Sequence, residues 1–189
     1  MNKQNNWQVV LLSPWKAILE IKMLLLMPLV WIYLLSKKVS IGTRFKFYGL
    51  PKILRHKGSR IIIGNNFENR NWWFSNPLGI NHPTVLCTWS SNAQIIIGND
   101  VGISGGSIVA TEKIEIGDGT LIGANCMIID SNFHPIKSAN RRYDKKNIMS
   151  ASIKIGRNVF LGTGCIILKG STIPDNSVVP AGKVVRSSY

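Results

Sequence analysis

The chain has 189 residues, room for one domain and at most a small appendage. Its three cysteines, Cys87, Cys126 and Cys165, show neither paired nor metal-like spacing, which argues against a disulfide framework and an oxidising compartment. The net charge of +14 calls for an anionic partner, yet no recognised nucleic-acid motif or aromatic–basic interleaving is present, so nucleic acid is set aside.

Residues 1–40 differ from the rest and are expected to form an apolar, basic helical segment. Met23 to Leu35 is an apolar run of thirteen, broken by Pro28 and followed by Lys37 and Lys38. A membrane span needs about twenty apolar residues, and extending this run back to Ala17 takes in Glu20 and Lys22. Three readings are open: a helix packed on the end of the domain or in an oligomer, a helix in the membrane interface, and a true span. A solenoid needs a cap over its end coil, which favours the first. The basic residues after the run favour the second. No A-x-A-like site follows, so no cleavable signal is expected. Between Ile21 and Phe67 there are nine Lys or Arg and no Asp or Glu. Such a field would attract a phospholipid surface, a lipid-linked phosphorylated sugar or the phosphates of a cofactor.

From residue 41 onward a second organisation begins. Ile41-Gly42 and Ile63-Gly64 carry a short signature, with turns marked by Gly49, Pro51 and Gly58. Asn71 to Pro83 reads as a loop holding Trp72, Trp73, Phe74 and His82. An aliphatic residue then recurs every six positions: Ile97, Ile103 and Val109, and after one extra residue Ile116, Ile122 and Ile128. The period resumes at Ile155, Leu161, Ile167, Ile173 and Val179. It is too long for a helix face and fits no single strand alternation. Hexapeptide periodicity is a β-helix signature. A Gly or other small residue often follows each aliphatic position, relieving crowding at a corner. Small or slim residues at Val101, Ser107, Thr120, Cys126, Val159, Cys165, Ser171 and Ser177 are expected to point inward. Lys113 and Asn132 break that rule, and a bulge is expected near Lys113. The fold class is therefore an all-β solenoid, a parallel β-helix over 41–189 behind a short N-terminal helical segment. Residues 134–152 break the period and should project as a loop on the functional face.

The best chemical candidate is His134, where a regular coil ends and that loop begins. A neutral imidazole is suited to take a proton from a hydroxyl. Asp130, four residues earlier, could orient the ring only if the corner folds back. A surface histidine beside a turn proline remains the alternative on residues alone.

Four strings add to this: Gly79-Ile80-Asn81-His82-Pro83-Thr84, Ile103-Ser104-Gly105-Gly106-Ser107, Ile122-Gly123-Ala124-Asn125, and Asp130 to Pro135. Together they resemble the bacterial hexapeptide-repeat acyltransferases, left-handed parallel β-helix enzymes, over about residues 60–185. The branch most similar is that of the surface-polysaccharide O-acetyltransferases. The resemblance implies transfer of acetyl from acetyl-CoA to a sugar hydroxyl, in a homotrimer with active sites between subunits. It implies His134 as general base and direct transfer, since no cysteine stands where a nucleophile is expected. Gly162, Thr163, Gly164, Ala181 and Gly182 match positions along the pantetheine arm, and Arg186 matches a residue near the coenzyme phosphates. The glycines could equally be solenoid corners. Ser104, Gly105 and Gly106 fall where relatives contact the acceptor. His82 is placed with them, although a structural role is as reasonable.

Two departures stand out. Asn132 replaces a frequent Asp, and Pro180 replaces a common Gly. The extended C-terminal segment of many relatives has no counterpart before Tyr189, so its coenzyme contacts are not carried over. The expected acceptor is a surface polysaccharide or its lipid-linked precursor, and the expected location is cytoplasmic, with contact to the inner membrane face through the N-terminal segment. Competing readings are a small soluble acceptor (free sugar, serine or antibiotic), a non-catalytic scaffold, and a zinc enzyme using His56, His82 and His134. No metal is expected.

Overall fold

The six-residue period winds into six stacked coils of three short strands each. Coil 1 holds β1 (Ser40–Ile41), β2 (Lys46–Tyr48) and β3 (Lys52–Arg55). Coil 2 holds β4 (Arg60–Ile63), β5 (Glu68–Arg70) and β6 (Val85–Thr88). Coil 3 holds β7 (Gln94–Ile97), β8 (Gly102–Ser104) and β9 (Ser107–Ala110). Coil 4 holds β10 (Lys113–Ile116), β11 (Leu121–Ile122) and β12 (Met127–Ile129). Coil 5 holds β13 (Ile153–Ile155), β14 (Phe160–Leu161) and β15 (Ile166–Leu168). Coil 6 holds β16 (Thr172–Ile173), β17 (Val178–Val179) and β18 (Val184–Val185). The three strands of a coil enter three different sheets, and each pairs in parallel with its counterpart one coil away. The result is a triangular left-handed parallel β-helix, as the repeat and the resemblance led us to expect. This computed structural model describes residues 13–189; positions 1–12 of the expected 1–40 segment lie outside the described residues.

The aliphatic positions form ladders inside the prism. The first sheet stacks Ile63, Ile97, Ile116, Ile155 and Ile173 in register. The third stacks Ile53, Leu86, Ile108, Ile128, Ile167 and Val185. All of these are buried, and each is worth about 1.5–3 kcal/mol of apolar burial. In the second sheet Asn69 takes a ladder position below Ile103. It is fully buried and donates to Thr84 Oγ1 at 2.6 Å.

The expected phase fails in coil 3. Ile108, not Val109, fills the third-sheet ladder. The corner through Gly105 and Gly106 is one residue shorter than the corner above it, and Gly106 rather than Ser107 takes the inward slot. A Cβ on Gly106 would sit 2.2 Å from the Cys126 carbonyl oxygen, so only glycine fits. The next corner, through Thr111 and Glu112, is longer in compensation. Lys113 consequently pairs outward with Gln94 and bonds Glu115 at 2.7 Å, while Ile114 points in. Ser107 and Ser177 are half-buried instead of fully inward.

Helix α1 (Pro14–Ser36) lies across the open end of coil 1. Pro14 suits the first turn, where its missing N–H costs nothing. Leu19, Met23, Val30 and Leu34 are buried beneath it, and Val30 and Leu34 join the main core. Tyr33 Oη accepts from the Ile53 N–H at 3.2 Å, covering part of the sheet edge. Glu20 accepts a hydrogen bond from Tyr48 Oη and pairs with Lys46 Nζ at 3.4 Å. The opposite side of α1 is apolar and exposed, through Leu24, Leu25, Leu29, Ile32 and Leu35. By length and composition it is long and apolar enough to cross a membrane.

Candidate functional site

His134 stands at the corner between the third and first sheets, where coil 4 opens into the 134–152 loop. The base of that loop is closed by an antiparallel bridge between Ser131 and Ser150, and by the Asn132 N–H donating to Met149 O at 3.0 Å. Phe133 adopts a left-handed conformation (φ 58), uncommon for a bulky residue. Its ring meets Trp89 edge-on, with centroids 5.7 Å apart, and its N–H donates to Ser131 Oγ. This turn lets the His134 N–H reach back to Asn132 O at 2.7 Å. The imidazole is exposed and makes no hydrogen bond among the described residues. Beside it the Nδ2 of Asn132 is buried without a partner.

Asp130 does not pair with this imidazole. Its two carboxylate oxygens accept the N–H groups of Thr111, at 2.6 Å, and of Glu112, at 2.8 Å. Those are the extra residues of the long corner one coil below. Burial pushes its carboxyl above the ordinary value, opposed by the N–H donors. Glu112 in turn accepts from Ser150 Oγ at 2.6 Å, tying the end of the loop to the same corner.

The remaining candidates occupy a different edge, the corner between the second and third sheets. Ser104, Gly105 and Gly106 form it in coil 3, Gly162, Thr163 and Gly164 in coil 5, and Ala181 and Gly182 in coil 6. The Gly164 N–H donates to Ala124 O, and the Gly182 N–H to Thr163 O, both at 2.8 Å. A Cβ on Gly162 would lie 2.4 Å from the Ala181 nitrogen, so this glycine is required by the stacking of coils. Gly164 (φ +67) and Gly182 (φ +70) need glycine for the left-handed turn, yet open space lies beside both. That leaves a clear strip along the edge. Arg186 is not on it: following β18, it is exposed near the edge that carries His134.

The loop with His82 packs onto this same second edge. Asn125 Oδ1 accepts the Asn81 N–H at 2.8 Å, and Asn71 Oδ1 accepts the Thr84 N–H at 2.8 Å. Asn76 Nδ2 donates to Ser104 Oγ at 3.0 Å. His82 is exposed, with Nδ1 2.8 Å from the Pro83 carbonyl. Asn71, Asn76 and Asn125 hold this loop in place, and the sequence reading gave none of the three a role. Asn125 (φ 61) carried one faint sign, an asparagine at a corner where others have glycine.

The cysteines are poor nucleophiles. Cys126 and Cys165 lie inside the prism, with Sγ 3.1 Å from the Gly162 and Pro180 carbonyls respectively. Burial pushes the Cys126 thiol up to about 12 and raises Cys165 and Cys87 as well. Among the described residues no three His, Cys, Asp or Glu side chains gather to hold a metal ion. Within one chain His56, His82 and His134 stand in separate places.

A family model described as the hexapeptide repeat of succinyl-transferase matches residues 113–131 and 152–187. Over 144 residues the chain is 34% identical to WbbJ of Escherichia coli K12, provisionally named a lipopolysaccharide biosynthesis O-acetyl transferase. That match covers 73% of this chain and 67% of the relative. Galactoside O-acetyltransferase of the same organism is 37% identical over 79 residues, 42% of this chain and 37% of the relative. Among solved structures, polysialic acid O-acetyltransferase OatWY aligns with 79% of this chain and 80% of its own, with TM-score 0.47 and 21% identity.

Proposed function

The chain belongs to the bacterial hexapeptide-repeat acyltransferases and is an O-acetyltransferase, and we propose that its acceptor is a sugar hydroxyl of a surface polysaccharide or of its lipid-linked precursor. The observation that carries the catalytic reading is His134, an exposed imidazole without an internal partner, set by the strained Phe133 at the mouth of a projecting loop. In this reading acetyl-CoA, when bound, supplies the acetyl group as a thioester. Gly164 and Gly182, with Thr163 and Ala181 between them, border the open strip along which its arm would lie. His134 would take the proton of the acceptor hydroxyl as its oxygen attacks the acetyl carbon, and would then give that proton to the coenzyme A sulfur that leaves. The unpartnered Asn132 Nδ2 is available as a donor to an acceptor oxygen. Transfer is direct, because buried thiols of raised pKa cannot serve as the nucleophile.

A homotrimer suits this reading. The outer face of the second sheet exposes Leu121, Phe160 and Val178, and that of the third exposes Met127 and Val184. The outer face of the first carries Lys113, Glu115 and Lys154. Within coils 4–6 two faces are thus apolar and one is charged, as suits a chain packed between two neighbours there, whereas in coils 1–3 the second face also carries Lys46, Glu68 and Arg70 and the first exposes Ile62. We place the enzyme in the cytoplasm, at the inner membrane face, with the exposed side of α1 toward lipid. The test is coenzyme A release from acetyl-CoA with a panel of glycan acceptors. His134→Ala is expected to lower turnover by about 10²–10⁴ with melting unchanged. Turnover close to wild type in that variant would sink the assignment.

A further inference from the structure

A cavity of about 790 Å³ opens between the end of α1 and the third sheet of the first two coils. Its rim is basic: Lys37 and Lys38 just after α1, Arg55 at the end of β3 and Lys57 in the turn that follows. Its floor is apolar, through Leu54, Cys87 and Trp89. No carboxylate lines it, and none of the four cations forms a salt bridge among the described residues. Arg55 donates to Ser59 O at 2.5 Å, while its Nε is buried with no partner. Three exposed lysines, one of them (Lys37) over the Tyr33 ring, and Arg55 with its buried, unpartnered Nε thus surround one hollow, an arrangement stabilised by an anion bearing more than one acceptor oxygen.

We propose that this cavity binds the phosphate of a lipid-linked glycan, the acceptor itself; the proposal rests on the function given above. Two placements select that ligand over a free anion. On one side the cations follow directly on the exposed apolar stripe of α1, where Leu25, Leu29 and Ile32 would meet acyl or prenyl chain. On the other side Trp89, which lines the cavity, touches Phe133, the residue before His134. Lipid, phosphate and sugar would thus lie in order along α1, the cavity and the histidine. Coils 5 and 6, with the strip assigned to the donor, are at the far end of the prism.

The test is co-sedimentation of the full chain with two phosphatidylcholine vesicle preparations, matched in charge. One carries undecaprenyl phosphate and the other phosphatidylglycerol. Binding is expected to be about tenfold tighter to the first, a difference of about 1.4 kcal/mol. Arg55→Gln/Lys57→Gln, and separately Lys37→Gln/Lys38→Gln, should remove that preference while melting as wild type. Equal binding to both vesicles, as a generic anionic surface would give, overturns the proposal. So does a preference that survives both double variants. If the preference is missing while His134-dependent acetylation persists, the cavity assignment falls and the function stands. If His134→Ala keeps full activity, the function itself falls, whatever the vesicles show.

Discussion

Asp130 and His134 share a corner and a short string of sequence, but their work differs. The carboxylate is held by two backbone N–H groups of the coil below, in the one corner made longer by Thr111 and Glu112. Without it those donors lose the only acceptors they have among the described residues. We expect Asp130→Ala to lower unfolding free energy by about 2–4 kcal/mol, from two orphaned donors. Asp130→Asn, which keeps one accepting oxygen, should lose about half as much. Turnover should fall with the loss of order in the corner, because the 134–152 loop is tied to it through Ser150 and Glu112. Denaturant melts of the three proteins beside kcat decide the matter. A carboxylate that merely orients the imidazole would show reduced kcat with unaltered melting, and that result would refute the clamp. Sequence could mark Asp130 as important from its neighbours. It could not name its partners, because they lie 18 and 19 residues away and meet it only through coil stacking.

Helix α1 has two faces with different surroundings. Leu34 is 1% exposed and closes the core at the end of coil 1, whereas Leu25 is 79% exposed. Leu34→Ala should therefore cost about 2–5 kcal/mol. Leu24→Gln/Leu25→Gln/Leu29→Gln should leave stability within about 1 kcal/mol, since no packing is lost, but release the protein from membranes in a flotation assay. A triple variant that still floats with lipid would show that this face does not hold the membrane. The apolar run and the trailing lysines were legible as a helical segment, and the need for an end cap was legible from the solenoid. That one helix could both cap and face lipid was not, because the stripe of Leu19, Met23, Val30 and Leu34 is defined only by what it packs against. The same limit produced the phase error in coil 3. Ile108 and Val109 are adjacent and both aliphatic, so period alone cannot choose between them. Pairing with Leu86 and Ile128 chooses Ile108. In coils 4 to 6 each repeat is local, a strand followed by a corner with a small residue, and nearly all of the ladder positions could be read in advance; in coils 1 and 2 the period is broken and Phe47, Ile53, Asn69 and Leu86 were not read.

At the scale of the whole molecule, the prism separates the pieces that the proposed reaction would have to join. His134 is on the edge between the third and first sheets. Gly164, Ala181 and Gly182 are on the edge between the second and third, a strand's length away. A third-sheet strand of three or four residues spans about 10–13 Å, too far for a thioester on one edge to meet a hydroxyl held at the other. In a ring of three chains the histidine edge of one can face the glycine edge of the next. This makes a specific demand on mixed assemblies. His134→Ala chains keep a sound donor strip, and Ala181→Trp chains, blocked at that strip, keep a sound histidine. Each variant alone should be nearly inactive. Refolded together in equal amounts, they place a working histidine against a working strip at about one site in four, so about a quarter of wild-type turnover should return. Mass spectrometry of the intact assemblies establishes that mixing occurred. If mixed trimers form and are no more active than their parents, the site is built within one chain, and the 134–152 loop must fold across the third sheet to reach the strip.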